Sequence, residues 1–154
     1  MKAVIQRVSE ASVSVDGKCV GSCNKGYMIL LGAENGDTLA DVEILANKVT
    51  NLRIFCDEDD KMNKSILDID GECLVISQFT LCADVKKGNR PSFMPALNPC
   101  DAEKYYDLFC DKLLSNGIKR VEKGVFGADM KVSLVNDGPV TILYDTRIWI
   151  KNEN

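Results

Sequence analysis

The stretch VSLVNDGPVTILYD, Val132 to Asp145, decides how the chain is read. Val132 and Leu134, then Val140, Ile142 and Leu143, are apolar runs on either side of Asn136-Asp137-Gly138-Pro139, a spacing that predicts a hairpin or strand-turn-strand. An ordinary two-residue hairpin is satisfied by Asn-Gly or Asp-Gly, whereas Pro139 removes a backbone donor and drives Gly138 toward extended geometry. A Gly-Pro bond is also one of the few at which a cis peptide costs only about 0.5–1 kcal/mol. Two readings stand on these residues alone. The turn merely breaks a strand, or proline fixes a pair of main-chain carbonyls as a steric gate that discriminates by clash.

Outward from this stretch, hydrophobic period separates strands from helices. Residues 3–8 read as a first strand and 11–20 as a hairpin about Asp16-Gly17, while Gly26 to Gly32 is a continuous apolar run, expected to be a central strand covered on both faces. Thr38 and Asp41 form a capping-box pattern ahead of Leu39, Val42, Leu45, Ala46, Val49 and Leu52, which predicts an amphipathic helix over 39–52. Residues 53–55 read as a short strand and Asp57 to Lys61 as a solvated loop. Residues 65–70 and 72–81 read as a hairpin about Gly71. Pro99 suits a helix first turn, and Ala102, Tyr105, Leu108, Phe109 and Leu113 carry that helix over 99–115 to Asn116-Gly117. Strands return from Val121. No repeat or linker divides the chain, so a single strand-rich domain spanning 1–154 with two helices, of α+β class, is expected.

Composition narrows the chemistry. A chain of 154 residues can bury roughly 68–70% of its unfolded surface, so no disulfide framework is needed. Its seven cysteines are odd in number and contain no Cys-x-x-Cys pair, which argues against a zinc ribbon or dithiol redox centre and for thiols in a reducing cytosol. The opening MKAVIQRV lacks a signal-peptide core, and no run nears the roughly 20 apolar residues of a membrane span. A cytoplasmic protein without membrane association is expected. The net charge of −4 counts against a protein that coats nucleic acid, so any such partner must meet a local patch. There is no histidine. Every His general base, Ser-His-Asp or Cys-His arrangement and HExxH metal site is thereby removed, and neither metal nor cofactor is expected.

Two further stretches join the Gly138-Pro139 turn as candidate sites. After apolar Leu74-Val75-Ile76, the segment Ser77-Gln78-Phe79-Thr80 places hydroxyls and an amide where a buried strand is expected to continue. Such groups are either partnered, solvent-facing on an edge strand, or directed at a pocket. A pocket of hydroxyls and backbone N–H groups with no base suits oxyanion binding better than a nucleophilic dyad. The loop Lys86-Lys87-Gly88-Asn89-Arg90-Pro91-Ser92-Phe93 is the only basic cluster in an acidic chain. It is either a solvated mobile loop or a phosphate contact through Lys86, Lys87 and Arg90.

These stretches, SQFTL at 77–81, GNRPSF at 88–93, FGADM at 126–130 and NDGPVT at 136–141, with QRV at 6–8, resemble the D-aminoacyl-tRNA deacylase (D-tyrosyl-tRNA deacylase) family. The resemblance runs from Met1 to about Thr146, with 147–154 left as a tail. It implies two sheets curled into a barrel-like core with the two helices outside, and a cytoplasmic homodimer with active sites at the subunit interface. The implied activity is hydrolysis of the ester joining a D-amino acid to the acceptor end of tRNA, or glycine mischarged on tRNA-Ala. By the same resemblance Gly138-Pro139 is cis and enters the partner's site, where its carbonyls exclude L-amino acids. Arg7, beside Gln6, supports that motif, and Ser77, Gln78, Phe79 and Thr80 line the pocket. Thr80 is proposed in the family as a nucleophile, or else the tRNA's own 2′-hydroxyl assists water while backbone N–H groups hold the oxyanion. With no base to activate a hydroxyl, the chemistry of this chain favours the second. A non-enzymatic dimer that binds the tRNA acceptor end is the competing class.

Overall fold

The computed structural model describes residues 1–150. Its spine is a 14-residue strand, β1 (Lys2–Val15), where two separate strands were expected, and the Asp16-Gly17 turn returns it into β2 (Lys18–Cys23). β3 (Gly26–Gly32) follows, then α1 (Leu39–Thr50), a two-stranded ribbon of β4 (Phe55–Cys56) and β5 (Met62–Lys64), β6 (Glu72–Ser77), α2 (Pro99–Ser115), β7 (Val121–Lys123) and β8 (Lys131–Asp145). The capping box at Thr38 and Asp41 is formed, and Pro99 occupies the first turn of α2 behind an Asn98 cap.

Six strands make one sheet in the order β2-β1-β3-β6-β7, with β8 also paired to β1. β1 takes β3 antiparallel over its first half, β2 over its second and β8 along both. β6 runs parallel to β3, and β7 parallel to β6. The hairpin expected about Gly71 is therefore absent. Residues 65–70 form turns, and β6 pairs with a strand some forty positions upstream. The sheet curls until its ends nearly meet: at Gly21 of β2 a Cβ would stand 2.5 Å from the Lys123 carbonyl of β7.

The curl explains the unbroken apolar sequence of β3 and β6. Tyr27, Ile29, Leu31, Cys73 and Val75 face one cluster, shared with Val42, Leu45 and Val49 of α1 and Phe109 and Leu113 of α2. Met28, Leu74 and Ile76 point the other way, into the concave side with Val8, Ala11 and Val13. Both faces are covered, so alternation is lost. The result is an α+β domain with a nearly closed, barrel-like sheet and two outer helices.

The end of β8 is tied in by polar contacts. Thr146 is fully buried and accepts a 2.7 Å hydrogen bond from the Met1 amino group, which also meets Asp37 at 2.8 Å. Of the segment expected as a tail, Trp149 packs edge-on against Tyr144 at 4.9 Å and lies beneath Lys48. Residues 151–154 lie outside the described residues.

Candidate active site

β6 stops where its partner stops. Ser77 is paired with Leu31, the next N–H, of Gln78, donates to the Leu31 carbonyl at 2.8 Å, and β3 ends one residue later. The chain then winds into a 3-10 turn over Phe79–Cys82, anchored by buried Cys82, whose thiol donates to the Ala33 carbonyl at 3.3 Å. The expectation of a strand continuing through Leu81 is thus corrected. Phe79 and Thr80 stand exposed at the strand's end, and the Gln78 amide donates to the Thr80 hydroxyl. A turn's first N–H groups have no partner within it, and among the described residues those of Phe79 and Thr80 have none elsewhere.

Ser77, Gln78 and Phe79 line a cavity of about 260 Å³ together with Phe126, Ala128 and Met130. Tyr106 of α2 also reaches it, but the phenol is committed: it donates to the Val75 carbonyl at 2.6 Å, and burial pushes its pKa upward. The sequence assigns FGADM no role, and its shared wall with SQFTL follows from β6–β7 pairing that no local pattern announces. Cys82, the last residue of the turn, is held protonated by burial and by neighbouring Glu34, with its pKa raised to about 11.

The Asn136–Pro139 turn is not a hairpin. Both flanks pair with β1 in the same antiparallel sense, Asn136 with Val8 and Thr141 with Gln6. One residue of β1, Arg7, therefore faces four of β8, Asp137 to Val140, which loop outward. Gly138-Pro139 is cis, with Gly138 at φ +140°, and both residues are exposed. Arg7 meets the loop from its base: Nε donates to the Asp137 carbonyl at 2.9 Å, while Nη1 donates to the Ile54 carbonyl at 2.7 Å. The structure brings Arg7 and Gln6 to this loop, but none of these residues lines the cavity of its own chain.

The basic segment folds as a closed loop, bridged by paired backbone bonds between Asp84 and Ser92 at 2.7 and 2.9 Å. Lys86, Lys87 and Arg90 are exposed, and among the described residues none joins an ion pair. Phe93, at the foot of the loop, meets Phe79 edge-on at 5.0 Å, so the cations are tethered to the cavity mouth.

Comparison with known proteins gives the chain its family. The family model described as D-Tyr-tRNA(Tyr) deacylase matches residues 4–145. The chain is 54% identical over 147 residues to the D-aminoacyl-tRNA deacylase of Clostridium novyi (strain NT), covering 96% of this chain and 98% of that protein. It is 53% identical, with the same coverage, to that of Clostridium acetobutylicum. A solved structure of "c-Myc DNA Unwinding Element Binding Protein" superposes with a TM-score of 0.89 at 42% identity, over 94% of this chain and 98% of that one. A second, described as "Structural Analysis of a probable eukaryotic D-amino acid tRNA deacylase", has a TM-score of 0.78 at 17% identity, over 93% and 97%, and shares the fold. The chain belongs to the D-Tyr-tRNA(Tyr) deacylase family.

Proposed function

We propose that the chain, a D-aminoacyl-tRNA deacylase by family, hydrolyses the aminoacyl ester at the cavity beside Ser77–Thr80, with the N–H groups of Phe79 and Thr80 receiving the oxyanion. The observation that carries this reading is the pair of unpartnered N–H groups opening the 3-10 turn at the cavity mouth. The Thr80 hydroxyl is an acceptor for Gln78 with no basic side chain bonded to it, so it serves as a positioned polar group rather than as a nucleophile. Attack then falls to water assisted by the 2′-hydroxyl of the terminal ribose, and no cofactor takes part.

The exposed Gly138-Pro139 loop acts as the chirality gate. Its place outside its own cavity suits delivery to a second copy, so the working unit is a homodimer with sites shared at the interface. Glycine, lacking a side chain for the gate to reject, is accepted as well, including glycine mischarged on tRNA-Ala. Lys86, Lys87 and Arg90 meet the acceptor-end phosphates, giving an acidic protein a local RNA contact. No helix among the described residues is long and apolar enough to cross a membrane, and work on charged tRNA assigns the protein to the cytoplasm. Incubation with D-tyrosyl-tRNA and L-tyrosyl-tRNA tests the whole reading. Rapid release of D-tyrosine alone is expected, and hydrolysis of neither would leave a tRNA-end binding protein.

A further inference from the structure

The excursion of β8 needs something to hold its shape, because Asp137 to Val140 have left the ladder with β1. Arg7 restrains the near carbonyl, at Asp137, and leaves the far limb unheld. That limb is met by one side chain within β8 itself. Asn136 Oδ1 accepts the Val140 N–H at 2.9 Å, and Asn136 Nδ2 donates to the Thr141 hydroxyl at 3.2 Å. Asn136 and Thr141 are the two residues at which pairing with β1 breaks off and resumes, so a single amide closes the neck of the loop from the inside. Val140 is 8% exposed and its Cγ2 lies where a Cβ on Gly138 would be crowded at 2.7 Å, so the packing of Val140 and the course of Gly138 are coupled.

We propose that Asn136 is a positioning residue for chiral selection: its amide sets the width of the loop neck and thereby the aim of the Gly138 and Pro139 carbonyls. The inference rests on the gate reading given above. It adds that aim is set from two sides, Arg7 at the outgoing limb and Asn136 at the returning one. Asn suits the place because the neck presents one N–H needing an acceptor and one hydroxyl able to accept, at opposite ends of a planar amide. Asp keeps an acceptor for the N–H but has no donor for the Thr141 oxygen, which it can meet only by accepting from the rotated hydroxyl, and Ala meets neither.

The test measures rates on D-tyrosyl-tRNA and L-tyrosyl-tRNA for Asn136→Ala, Asn136→Asp and Thr141→Val, with amide hydrogen exchange at Val140 and thermal midpoints alongside. Asn136→Ala is expected to release the Val140 amide to exchange and to lower the preference for the D ester by about tenfold, the effect of one lost hydrogen bond on a discriminating step. Asn136→Asp, which keeps the acceptor, is expected to recover most of that preference, and Thr141→Val to lose the smaller part. Unchanged preference in Asn136→Ala with faster Val140 exchange overturns the proposal. Arg7→Ala separates this from failure of the gate itself: if it lowers the preference while Asn136→Ala does not, the gate stands and the role of Asn136 falls. If neither changes it, both fall. Asn136→Asp and Thr141→Val keep the comparison interpretable should Asn136→Ala fold poorly.

Discussion

Arg7 of β1 donates to the carbonyl of Asp137 at 2.9 Å, at the one point where a single residue of β1 faces four of β8. Its Nη1 donates to the Ile54 carbonyl, so the guanidinium bridges the segment entering β4 and the loop. Such a fork cannot be replaced by the single ammonium of lysine. Arg7→Lys is expected to lower discrimination between D- and L-tyrosyl-tRNA by about tenfold, and Arg7→Ala by at least as much. Paired single-turnover rates on the two esters check this, and equal discrimination in all three proteins would remove Arg7 from the gate.

Thr80 is exposed, follows the end of β6 and accepts a hydrogen bond from Gln78. Thr80→Ala removes a hydroxyl but leaves both N–H groups of the turn in place. D-tyrosyl-tRNA hydrolysis is therefore expected to persist within about tenfold of the parent rate, whereas an essential nucleophile would cost at least about a thousandfold. Single-turnover measurement with tRNA binding monitored separately decides between them.

Four of the seven cysteines are buried, and burial, aided by Glu72 beside Cys23 and by Asp107 and Asp111 near Cys110, pushes their pKa values up. Cys23 and Cys82 rise to about 11 and Cys110 to about 12, and complete burial pushes Cys73 well above the ordinary thiol value. A raised thiol pKa means less thiolate at a given pH, and the thiolate is the reacting species. At pH 8 iodoacetamide is expected to mark only Cys19, Cys56 and Cys100 in the folded protein, with hydrolysis of D-tyrosyl-tRNA surviving. Mass spectrometry of the labelled enzyme checks the sites, and loss of all activity would mean that one of these three thiols is needed for hydrolysis.

What the sequence makes legible divides along a physical line. The helices are local objects, and their caps and 3.6-residue period place them at 39–50 and 99–115 almost as expected. Asn136-Asp137-Gly138-Pro139 sits between two apolar runs at the spacing of a hairpin or strand-turn-strand, yet its flanks join the same partner strand, because register with β1 is settled by residues some 130 positions away. SQFTL shows the same limit: Ser77 ends β6 only because β3 has ended beside it. The residues of the candidate site are singled out by resemblance. Their geometry, including the bond from Arg7 to Asp137 and the cavity shared with FGADM, depends on strand pairings that leave no mark in any single window.

The pairing that carries Ser77–Thr80 into place is itself vulnerable at one residue. Gly26 begins β3 opposite Glu72, the first residue of β6, at φ +156°. A Cβ there would sit 1.9 Å from the Glu72 carbonyl oxygen and 2.6 Å from its nitrogen, backbone atoms held by the parallel ladder. Gly26→Ala must push β3 and β6 apart, and a cost of about 3 kcal/mol or more is expected. Gly36, at φ +93° with open space where a Cβ would be, provides the comparison: Gly36→Ala carries only the conformational cost, about 1 kcal/mol. Urea midpoints of the two variants measure the difference. Because β6 leads directly into the 3-10 turn, Gly26→Ala is also expected to lose deacylation out of proportion to the fraction unfolded, whereas Gly36→Ala keeps it. Equal midpoints would mean that the β3–β6 ladder has more slack than this approach permits.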